Sequence, residues 1–174
     1  MEALGRKDEA QTFRWQCFER TLNSAHLRAY LKRMPDFDDV EAEERAMSYA
    51  LRFLNVHQAL AFLVSWPAQD KAAALVIRRS GELDGDHYEI LSPAADALAA
   101  KYPLAATLLL RAMIDFSLKK NRVKRYRHAA RHFSECASLA RAVGDFGTVE
   151  THERYSTRLK QQHGRKTSFW ALVS

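Results

Sequence analysis

Between Asp115 and Glu135 the chain carries Lys119, Lys120, Arg122, Lys124, Arg125, Arg127 and Arg131 and no carboxylate. Cations at this density can replace condensed counterions along a phosphate backbone, or meet the acidic face of a protein. Base stacking needs interleaved aromatics, and the run offers only Tyr126, which falls on the apolar side of its helix. The expected site is these seven side chains. The expected partner is a protein with an acidic surface, and nucleic acid held through residues 119–131 is the alternative. A solvated helix flank would have the same composition.

His128, His132 and Cys136 follow at helical spacing, which raises zinc. Eight residues of helix rise about 12 Å, whereas zinc stands about 2.0–2.3 Å from each ligand. One ion could take two of these residues but not all three. The sequence HAARH also lacks the glutamate of an HExxH site. No metal is expected there. Residues 36–44 hold six carboxylates in nine positions, without the central glycine and distal glutamate of an EF-hand loop. Asp38 or Asp39 reads as an N-cap, and the acids that follow suit a helix N-terminus. No nucleophile elbow, dinucleotide or phosphate loop, or paired CxxC occurs, so neither catalysis nor a cofactor is expected.

Apolar periodicity places these groups on helices. A long first helix is expected over 9–33, with Phe13, Cys17, Leu22, Leu27, Tyr30 and Leu31 inward and Pro35 as its limit. Further helices are expected over 39–53, where Val40, Ala46, Met47, Ala50, Leu51 and Leu54 face in, over 55–66, and over 68–80. Ser92-Pro93 and Tyr102-Pro103 each read as a helix start, the second helix running to about 119. Tyr126, Ala129, Ala130, Phe133, Cys136, Ala137, Ala140 and Val143 share one face of the next, closed by Gly144-Asp145-Phe146-Gly147 with a glycine past its end. A last helix spans about 149–162. The tail, with Phe169, Trp170, Leu172 and Val173, is expected to fold back as a cap. No window alternates as a strand does.

The expected fold is all-α, with seven to nine helices in consecutive antiparallel hairpins. The form is a tetratricopeptide-like α-solenoid or bundle over a single domain, 1–174. No apolar run approaches the ~18 to 20 residues of a membrane span. Two lone cysteines and a charged start make the cytoplasm the expected location. The net charge of +6 hides a division: residues 1–100 hold 12 Lys/Arg against 16 Asp/Glu, and residues 101–174 hold 15 against 5. That asymmetry admits self-association of acidic and basic halves.

The spacing Ala129, Phe133, Cys136 resembles the small–aromatic–small signature of a tetratricopeptide-type second helix. The stretches FRWQCFERTLNSAHLRAYLKRMPDFDDVEAEERA, LVSWP, RYRHAARH and HGRKTSFW resemble a bacterial family of unknown function with such helical content. The second half is also similar to the tails that follow SWIM-type zinc fingers in bacterial proteins. The SWIM cysteines and histidine are absent, so no metal or nucleic-acid role is implied. The resemblance implies a helical fold and the C-terminal part of a longer protein. The expected function is non-catalytic protein association.

Overall fold

The computed structural model describes residues 2–173, and the side chains of 6–173. Residues 1 and 174, the ends of the expected domain, lie outside the described residues. Among those described there is no strand. The helices fall into two compact units, Met1–Ala72 and Ala73–Ser174.

The first unit contains α1 (Glu2–Thr21), α2 (Ser24–Leu31), α3 (Asp38–Leu51) and α4 (Val56–Ser65). The single helix expected over 9–33 is in fact two. Leu22 is buried and takes a left-handed φ of 47°. Asn23 then caps α2 by accepting from the Ala25 amide at 2.8 Å. Phe18 is the centre of this unit, its ring 5.3 Å from Phe62, 5.5 Å from Trp15 and 6.3 Å from Tyr49. Trp15 and Phe18 therefore serve one aromatic cluster, and Phe13 is exposed instead of inward. Val40 and Leu54, also expected inward, are exposed as well. The N-cap position of α3 belongs to Phe37, which makes no side-chain cap bond, while Asp38, Asp39 and Glu41 occupy the first turn.

The second unit takes up the chain within α5 (Gln69–Arg78) and continues through α6 (Tyr88–Leu98), α7 (Pro103–Lys119), α8 (Tyr126–Ala140), α9 (His152–His163) and α10 (Thr167–Trp170). Two short 3-10 turns, Ser80–Glu82 and Val123–Arg125, precede α6 and α8. Helix α7 is the spine, packed against α6 on one side and α8 on another. Its start at Tyr102-Pro103 matches the N1-proline reading. Ser92-Pro93 does not start a helix: α6 begins at Tyr88 and Pro93 lies inside it. The glycine with positive φ after α8 is Gly147, at 54°, rather than Gly144.

Tyr126, Ala129, Ala130, Phe133 and Cys136 are buried on one face of α8 as their spacing requires, whereas Ala137 and Ala140 are only half-buried. The tail closes on that helix. Phe169 is fully buried with its ring 5.8 Å from Tyr126, and the Trp170 ring stands 6.1 Å from Phe133. Trp170 Nε1 donates to the His163 carbonyl at 3.0 Å, and the Lys166 ammonium donates to the Asn121 side-chain carbonyl. Phe169→Ala is therefore expected to destabilise the chain by about 3–5 kcal/mol in chemical denaturation. A loss below a third of that would mean the tail does not seal α8.

Candidate basic interaction site

The seven predicted cations do not form one cluster. Lys124, Arg125 and Arg131 line a cavity of about 370 Å³ together with His128 and His132. Its floor and walls are Gly85, Tyr88, Met113, Ser117 and Ala129, and no carboxylate lines it. Lys119 lines a different cavity, beside Arg111, Asp115, Tyr155 and Arg158. Lys120, Arg122 and Arg127 are exposed and line neither of the two.

The elements that position the cavity follow from local sequence. Asn121 takes a φ of 52° at the end of α7, and the 3-10 turn Val123–Arg125 then delivers the chain into α8. Gly85 is required where it stands: a Cβ there would meet the Ala112 carbonyl oxygen at 2.0 Å. That close approach brings Asp86 and Tyr88 to Arg125. Arg125 Nη1 is 2.8 Å from Asp86 Oδ1, and its guanidinium lies 4.8 Å from the Tyr88 ring centroid. Arg125 is thereby a fixed, half-buried member of the wall.

Lys124 and Arg131 are held far less. Among the described residues Lys124 forms no ion pair, and Arg131 is 3.5 Å from Glu135 with both side chains partly in water, a contact of small energy. Neither lysine nor arginine is favoured where α8 begins, because a helix N-terminus already carries partial positive charge. No acid occupies the first turn of α8 and no side chain caps it. The start of α8 thus brings cations and imidazoles together around one concavity. Physically it attracts anions.

His128, His132 and Cys136 point to different surroundings. His128 is exposed, while His132 is 6% exposed with Nδ1 3.1 Å from Glu135 Oε2. Cys136 points into the core toward the Thr107 carbonyl oxygen, at 3.9 Å. Among the described residues no three His, Cys, Asp or Glu side chains are grouped to hold a metal ion.

A second polar cluster lay beyond sequence reading. Arg111, in the middle of an apolar run of α7, is 5% exposed. Its Nη1 donates to the Glu150 carbonyl at 2.8 Å, and its guanidinium lies 4.4 Å from the Tyr155 ring centroid. Tyr155 donates to Asp115 Oδ1 at 2.9 Å, and Arg158 pairs with Glu150 at 3.0 Å. Burial raises the Asp115 carboxyl, and the Tyr155 and Arg158 bonds offset part of that rise. Burial also pushes the Cys136 thiol up to about 12, with the Arg111 charge acting in the opposite direction. A thiol so placed is inert as a nucleophile.

His152, at the start of α9, has its ring centroid 5.1 Å from that of Phe133 at a tilt of 51°, and its Nδ1 is buried without a hydrogen-bond partner. Burial lowers its pKa, and the Arg111 charge lowers it further. The folded chain therefore binds fewer protons at His152 than the unfolded chain, and stability falls as pH drops through about 6.5. Relative to His152→Gln, the wild-type protein is expected to lose melting temperature between about pH 7.5 and 5.5. A constant difference between the two across that range would contradict a buried neutral imidazole.

No described helix is long and apolar enough to cross a membrane. Comparison with curated proteins and with solved structures finds no match. A protein-family model, described as a family of unknown function (DUF6880), matches residues 1–172. The chain belongs to that family.

Proposed function

We propose that this chain is a non-catalytic helical interaction module, and that the cavity at the start of α8 takes an acidic segment of a partner protein. One observation carries the reading. Lys124, Arg125, Arg131, His128 and His132 surround a single concavity with no carboxylate among its lining residues. Lys124 and Arg125 sit beside the positive end of the α8 dipole, and such a local conflict is repaid when an anion binds. Met113 and Tyr88 add apolar surface, so an acidic segment with an apolar side chain suits the cavity better than a bare anion.

The architecture supports such a role. Helices α6, α7 and α8 pack in succession, and the buried Ala129, Phe133 and Cys136 favour a tetratricopeptide-like hairpin for the last two. Nucleic acid is the weaker reading. Tyr126 is buried, and the exposed Tyr88 already has a guanidinium over its ring, which leaves little free aromatic surface for bases.

Fluorescence anisotropy on the whole chain tests the proposal, with a labelled ten-residue peptide of mixed Asp and Phe and its Asn counterpart as probes. The acidic peptide is expected to bind and the neutral one not. Lys124→Glu with Arg131→Glu should weaken binding at least about tenfold, as removal of central interface charges commonly does. Equal binding of both peptides would sink the idea. So would tight, log-linearly salt-dependent binding of a short oligonucleotide at physiological ionic strength, since that marks a phosphate ligand.

A further inference from the structure

The first unit displays a feature with the complementary chemistry. Phe37 is 87% exposed and its backbone sits at a φ of 75°, a left-handed conformation that bulky residues rarely adopt. Asp36 precedes it, and Asp38, Asp39 and Glu41 follow in the first turn of α3. Val40, on the same turn, is 68% exposed. The neighbouring acids Glu43 and Glu44 are engaged, by Trp66 at 2.7 Å and Lys71 at 2.6 Å. No ion pair is formed by Asp36, Asp38, Asp39 or Glu41 among the described residues.

Local propensity does not account for this arrangement. An N-cap position favours Ser, Thr, Asp or Asn, and a left-handed one favours Gly or Asn. Phenylalanine satisfies neither preference and makes no cap bond here. Strained positions of this kind concentrate where a side chain has a task outside its own fold. Here the backbone holds an aromatic ring out in solvent within a frame of carboxylates.

We infer that the occupant of the cavity at the start of α8 is the Asp36–Glu41 turn of a second copy of this chain, an inference that rests on the acidic-segment reading above. The ring of Phe37 enters between Tyr88 and Met113, where a thioether gives a polarisable contact for an aromatic edge. Asp36, Asp38 and Asp39 meet Lys124, Arg131 and His128 at the rim. The knob belongs to the first unit and the cavity to the second, so each copy carries both elements.

Sedimentation velocity on the full chain over a hundredfold range of concentration tests this. The wild-type protein is expected to assemble as concentration rises. Phe37→Ser, which touches only an exposed ring, and the pair Lys124→Glu with Arg131→Glu should each leave monomer. Mixed together, the two defective proteins should recover a complex, because one retains the cavity and the other the knob. Recovery also shows that both variants are folded. Wild-type protein that stays monomeric throughout, or a mixture that does not associate, overturns the inference. If the chain stays monomeric yet the unrelated Asp/Phe peptide binds through Lys124 and Arg131, self-docking fails and the proposed function stands. If that peptide does not bind either, both fail.

Discussion

Helix α7 has to be buried on most of its circumference while keeping polar side chains on its buried surface. Ten of its residues are buried, and Thr107, Arg111 and Ser117 are among them. An unpaired polar group inside would cost about 1–3 kcal/mol. Thr107 and Ser117 meet that demand within the helix, donating to the carbonyls of Pro103 and Met113 at 2.8 Å each. Arg111 cannot: its Nη1 reaches the Glu150 carbonyl and its guanidinium lies over the Tyr155 ring, while its Nε and Nη2 are buried without a hydrogen-bond partner. The last third of the chain is thus organised around one guanidinium, in addition to the aromatic seal made by Phe169 and Trp170.

The candidate site inherits its rigidity from the same helix. Met113 and Ser117 of α7 form its floor, and the tight passage of Gly85 over Ala112 sets one wall. The opposite wall is the first two turns of α8, held by Ala129, Ala130 and Phe133 on the core side. Exposed cations on a mobile loop would make a diffuse field. Here Arg125 is pinned between Asp86 and Tyr88, Lys124 precedes it in the 3-10 turn, and Arg131 stands on the packed helix α8. Preorganisation of that kind lowers the ordering cost of binding.

Much of this was legible in the residues. Helix α7 is announced by Tyr102-Pro103 and a long apolar run, and the buried face of α8 by spacing alone. The failures have separable causes. The α1–α2 break depends on a buried Leu22 in a left-handed turn, which no apolar pattern encodes, although Asn23-Ser24 was an available capping signal. Pro93 inside α6 looks like a start because proline is commonest there. Val40 and Leu54 carry the right residue type at positions that the packing leaves outside. Nothing in the apolar run around Arg111 marks that side chain as buried, and only tertiary contacts make a buried cation tolerable. The cation run was visible as composition. Its division among two cavities and open solvent was not, because that depends on where α6 and Gly85 pass over α7.

On the proposed function, the concavity at the start of α8 takes an acidic partner segment. Hydrogen exchange on the full chain, with and without a saturating acidic aromatic peptide, tests this because it reports position along the chain. Slowed amide exchange is expected in residues 85–92 and 123–132, with the rest of the chain little changed. Protection confined to other residues, or none under conditions where the peptide is bound, would contradict it.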